Sequence, residues 1–227
     1  MLRKLAMSVA VMAVLSCIGS TVMAEVLVGT DSDSWDVNRA TTINGDQQDQ
    51  DITDGANSVV SLNFYDGPET LSRVVIKYTG PKSGESSTIT ATLDTTVNVH
   101  FTTASFTTTT KISSTTLANN IASPFNVLFN PGAFQNGDSD SDNNFDVSSS
   151  GSKVFTVTND YSADPYFNTT NASDLAYFSQ SGTFDFQVRN ELTADWQSDN
   201  TGEITYNISG KDSGTITIEY YAIPEPA

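Results

Sequence analysis

The last third of this chain alternates apolar and polar residues with a period of two, and few folds tolerate that pattern. In 182–190, Phe184, Phe186 and Val188 interleave with Asp185, Gln187 and Arg189. Ile204, Tyr206 and Ile208 do the same in 202–210, as do Ile216, Ile218 and Tyr220 in 213–222. Successive strand side chains point to opposite faces, so each segment reads as a strand with one apolar and one polar face. The Gly-bounded stretch 210–214 predicts a short hairpin loop between the last two. Val60, Leu62 and Phe64 alternate in 58–65, and Val74, Ile76 and Tyr78 in 71–80, with Gly67 and Pro68 marking a turn at 66–69. Val97, Val99 and Phe101 are read as inward in 95–103, and Phe155 and Val157 in 152–159.

Strands with one wet face belong to antiparallel sheets, and two such sheets packed together bury both apolar faces. The expected fold is therefore all-β: a single antiparallel β-sandwich, Greek-key or jelly-roll-like, of about ten strands over residues 25–222. The Thr-rich stretch 102–116 suits a pair of strands. The polar stretches 44–58, 136–152 and 192–200 read as loops.

Residues 1–24 read as a secretory signal peptide: Arg3 and Lys4, an apolar run at 5–15 too short to span a bilayer, then Val22 and Ala24 before a cut ahead of Glu25. Cys17 ends a weak lipid-attachment motif at 14–17, with bulky Leu15 where small residues are usual. If Cys17 leaves with the leader, the chain keeps no cysteine and forms no disulfide. Loss of Arg3 and Lys4 takes the formal charge from −17 to −19, which disfavours nucleic acid and anionic membrane as partners.

Catalytic chemistry has little to work with. His100 is the one histidine, placed on a strand's polar face, and no G-x-S-x-G elbow accompanies it. Zinc ligands of the usual kind are missing. The residues point to a non-enzymatic protein. Two binding readings remain. Asp138, Asp140, Asp142 and Asp146 have the alternate spacing of a calcium loop, although Asn143 and Ser149 replace the expected Gly and Glu. Stretches 49–55 and 31–36 are further Ca2+ candidates. Trp196, in the polar stretch 192–200, is a candidate ring for stacking on extracellular polysaccharide, with Trp35, Tyr161, Tyr166 and Phe167 as others. These readings make a calcium-dependent or carbohydrate-binding adhesive module the alternative function.

The chain closes on Tyr-Tyr-Ala-Ile-Pro-Glu-Pro-Ala. Proline cannot donate to a sheet ladder, so the last strand must end near Ala222, leaving 223–227 as a tail. Pro224, Glu225 and Pro226 resemble the sorting motif of PEP-CTERM proteins, and Ala227 suits the position after it. Residues 58–227, above all Phe178, Gly182, Phe184 and the closing Thr-Ile-Thr-Ile-Glu-Tyr-Tyr, resemble the choice-of-anchor E domain. The resemblance implies export from a Gram-negative bacterium, a cell-surface or matrix setting, an exosortase-type partner and no established activity. The family's apolar helix and basic cluster do not follow Ala227 here, so sorting requires a continuation of the chain; without one, the product is freely secreted.

Overall fold

Among the described residues, the apolar–polar alternation becomes ten strands in two antiparallel sheets. The computed structural model describes residues 24–45, 49–80, 87–122, 134–158, 166–199 and 203–224. The strands are β1 (Val26–Gly45), β2 (Asp49–Asn63), β3 (Leu71–Thr79), β4 (Thr88–Thr95) and β5 (Val99–Ser113), then β6 (Phe134–Val147), β7 (Ser152–Thr158), β8 (Tyr166–Thr169), β9 (Thr183–Ser198) and β10 (Ile204–Ala222). Two short helices, α1 (Thr115–Asn120) and α2 (Ala172–Phe178), are N-capped by Ser114 and Asn171, whose side chains accept from backbone N–H groups.

β10 is the spine of the larger sheet. Its 19 residues extend about 60 Å. β1 pairs along one flank for that whole length, from Val26 opposite Ala222 to Gly45 opposite Ile204. The other flank is shared. Residues 204–210 pair with β4 and residues 215–222 with β3, and β7 and β8 extend the sheet beyond those two. The second sheet runs β2-β9-β5-β6. Edge strands β1 and β2 thus border one margin of the sandwich, and β6 and β7 meet at the other.

The inward faces make two apolar clusters. One, at the end where Val26 meets Ala222, holds Trp35, Leu62, Tyr78, Phe178, Phe186 and Ile218. The other holds Phe101, Phe106, Phe155, Leu192, Trp196 and Tyr206. The residues read as inward in 58–65, 71–80, 152–159, 182–190, 202–210 and 213–222 are buried, apart from partly exposed Phe64.

Several sequence expectations need correction. Residues 210–214 form no hairpin: β10 continues through them, with Lys211, Asp212 and Ser213 opposite Asn38, Val37 and Asp36. The stretch 136–152 holds nearly all of β6, a turn and the start of β7, and 192–200 is largely the end of β9. In 44–58, β2 begins at Asp49. The stretch 102–116 is one strand followed by α1. Val97 is 41% exposed. Phe101 opposes Ser198 while Thr103 opposes Gln197, so β5 carries an extra residue at Thr102. That bulge shifts the inward set from Val99 and Phe101 to Ala104, Phe106 and Ile112.

Candidate functional site

Many of the acids read from the sequence lie on the sandwich margins, and there they take up backbone hydrogen bonds. β2 pairs only with β9, so alternate N–H groups on its other side face outward. Asp31 Oδ2 accepts from the Asn63 N–H at 2.7 Å, and Asp33 Oδ2 from the Ser61 N–H at 3.1 Å. Two carboxylates from the larger sheet thus complete an edge of the smaller one. On the opposite margin, Asp140 Oδ2 accepts from the Thr156 N–H of edge strand β7 at 2.9 Å. Asp142 binds Lys153. That ammonium, helped by the Asn143 N–H, holds the Asp142 carboxyl below its usual range. Inward-pointing charges of this kind make an edge a poor template for a further strand.

This arrangement disperses the proposed calcium ligands. Asp140 and Asp142 serve β7, Asp146 lies beside His100, and the side chain of Asp138 falls outside the described residues. Among the described residues no group of three or more His, Cys, Asp or Glu is placed to hold a metal ion. In 31–36, Asp36 pairs with Lys211 at 3.2 Å. The acids of 49–55 have side chains outside the described set.

The sugar-binding reading is corrected more sharply. Trp196 is on β9, 0% exposed, with its ring 5.0 Å from that of Tyr206. Leu192, Ala194 and Trp196 continue the inward face of β9, and a ring enclosed in that way cannot meet a sugar. Trp35 and Phe167 are buried as well. Tyr161 and the side chain of Tyr166 lie outside the described residues.

His100 stands at the end of the sandwich far from Ala222. Its Nδ1 is 2.8 Å from Asp146 Oδ1 and its Nε2 is 3.8 Å from Asp199 Oδ2. The three side chains are 39%, 84% and 64% exposed, so water screens the group.

A cleft of about 400 Å³ opens at the other end, between the start of β1 and the turn after β2. Tyr65 and Tyr220 wall it, with Asp31, Asp66 and Glu69 at its rim. The Tyr65 hydroxyl donates to Glu69, and that of Tyr220 donates to the Asn63 carbonyl at 2.6 Å. Burial first, then nearby carboxylates, push both phenols up, so neither ionises near neutrality. A Cβ on Gly67 would strike the Tyr65 hydroxyl, so glycine is what lets the turn fold over the ring.

The most constrained polar group lies inside the sandwich. Between the two apolar clusters, Arg39 of β1, Thr110 of β5, Asn190 of β9 and Asp212 of β10 form a buried belt. Thr110 and Asn190 are direct cross-strand partners. Asp212 Oδ2 accepts from the Thr110 hydroxyl and, at 3.0 Å, from Asn190 Nδ2. Asn190 Nδ2 also donates to Thr110 Oγ1 at 3.1 Å. Arg39 donates to the backbone carbonyl of Asn190. The sequence reading missed all four. Strand parity was the available signal: Asn190 continues the inward set Phe184, Phe186, Val188, and Asp212 lies in step with Ile208 and Ile216.

No family model matches this sequence, and no curated protein matches it. Among solved structures, one of the infectious bursal disease virus Gx strain aligns at 8% identity and a TM-score of 0.12. That alignment covers 86% of this chain and 41% of the viral one, and a likeness so slight carries no argument.

Proposed function

We propose that this chain is an exported, non-enzymatic β-sandwich of a Gram-negative cell surface or extracellular matrix, with its Pro-Glu-Pro motif read by exosortase-type machinery if the chain continues past Ala227. One observation carries the reading. β1 begins at Val26 directly opposite Ala222, where β10 ends. The segment after the leader and the segment before Pro224 therefore leave from one corner, and about 60 Å of sandwich extends away from it. A domain held by its tail presents the opposite end outward. The spent acids, the raised phenols and the open setting of His100 support a role without chemistry. The choice-of-anchor E and PEP-CTERM resemblances supply the setting.

The test is topological. An epitope inserted between Asp199 and Glu203, which flank the end of the sandwich far from the tail, is expressed in the native host and intact cells are treated with protease. Loss of the epitope from intact cells, or its recovery in the matrix fraction, is expected. Full protection until the inner membrane is lysed overturns the proposal.

A further inference from the structure

The geometry points to a covalent cross-link that the chain makes in itself: an ester between the Thr110 side chain and the Asn190 side chain, with Asp212 as its base. Three features converge on that chemistry. The nucleophile and the carbonyl carbon belong to directly paired residues of adjacent strands, on the same inward face. Thr110 Oγ1 stands 3.1 Å from the nitrogen of the carboxamide it would attack. One oxygen of Asp212 contacts both the hydroxyl proton and the nitrogen that would leave. Nucleophile, base and leaving group are thus held by three different strands, and Oγ1 reaches Cγ by swinging from its hydrogen bond with Nδ2 to the face of the carboxamide.

The step balances without any co-reactant. Asp212 takes the Thr110 hydroxyl proton, and Oγ1 forms a bond to Asn190 Cγ. The negative charge collects on Oδ1, while the Arg39 guanidinium binds the same residue's main-chain carbonyl. The Cγ–Nδ2 bond then breaks, Asp212 returns the proton to nitrogen, and ammonia departs. Thr110, Asn190 and Asp212 are each 0% exposed, so water that would hydrolyse the ester is excluded. The product also relieves a cost: Asn190 Oδ1 is buried without a hydrogen bond, and an ester carbonyl is a weaker acceptor than an amide, hence cheaper to leave unpaired. A chain that loses Cys17 with its leader has no disulfide, and this link would join β5 to β9 by other means.

Intact-mass spectrometry of the purified, denatured chain decides. The expected mass is about 17 Da below that of the sequence from its measured N-terminus, the loss of one ammonia. Protease digestion should give one joined peptide containing Thr110 and Asn190, separated by alkaline hydroxylamine. Thr110→Val and Asp212→Asn should restore full mass, while Thr110→Ser, which keeps a hydroxyl, should retain the deficit. Full mass in the unaltered protein overturns the proposal whatever the variants do. So does a deficit with no joined peptide, which would mark a succinimide instead.

Discussion

Trp196→Ala separates a core residue from a ligand-stacking one. Trp196 has no exposed surface, packs on Tyr206, and anchors the apolar cluster farther from Ala222. A buried tryptophan removes about 200 Å² from water, about 5 kcal/mol at 25 cal/mol/Å². Large-to-small replacements of core Trp cost about 3–5 kcal/mol once the cavity is partly relaxed. For a domain of this size each kcal/mol lowers Tm by about 2–4 °C, so a fall of about 6–20 °C is expected. Urea unfolding followed by far-ultraviolet circular dichroism, with a thermal scan alongside, measures it. A loss below about 1 kcal/mol would show the ring contributing little to the core, and the argument from burial would fail. A glycan array gives the complementary reading: binding that vanishes in a variant of unchanged stability would restore the sugar-stacking role.

Each apolar cluster contains one tryptophan, Trp35 or Trp196, so Trp35→Phe and Trp196→Phe leave a fluorescence probe in one half. Because β1, β9 and β10 pass through both halves, the two probes should give coincident urea midpoints; separated midpoints would mean the polar belt divides the domain into two folding units. Asp31→Ala with Asp33→Ala frees the exposed Ser61 and Asn63 N–H groups to water, so amide exchange there should accelerate while stability falls by no more than about 1 kcal/mol per pair; unchanged exchange would refute the edge-completing role. Burial raises the Glu219 carboxyl, but hydrogen bonds from Lys77 at 2.5 Å and Tyr221 at 2.7 Å outweigh it and hold the group below its usual range. Its stabilising contribution is therefore complete above about pH 4.3 and is lost as pH falls through the lower folded value, and Lys77→Met should flatten that acid limb in denaturation measured against pH. Millimolar Ca2+ should shift Tm no more than Mg2+ does, because Asp140 and Asp142 are already engaged by β7; a shift specific to calcium would contradict that account.

Strand faces were legible wherever parity and apolarity agreed, as at Phe184, Phe186 and Val188. Parity also ran unbroken from Ile208 through Asp212 to Ile216, yet the two glycines bounding 210–214 suggested a turn. The strand persists because β1 supplies partners on one flank throughout, even where neither β4 nor β3 pairs on the other. Asp140 and Asp142 looked like loop residues because they give an edge strand no apolar face, and only the facing β7 explains acids pointing inward. The Thr102 bulge had no local mark: one extra residue reverses every face beyond it, so the inward positions of β5 could not be extrapolated from Val99. The belt of Arg39, Thr110, Asn190 and Asp212 joins four strands distant in sequence, and periodicity within a strand places a residue on a face without naming its neighbours across the sheet.

The rungs that join Val26 to Ala222 are the first of a ladder ending at Gly45 and Ile204. Tension applied between the two chain ends peels β1 from β10 one rung at a time, a mechanically soft geometry. Tension applied between the tail and the far tip loads the strands lengthwise, so many hydrogen bonds must fail together. A domain gripped only at its tail in flowing liquid meets the second kind of load, and its endurance is set by the direction of pull more than by any single bond.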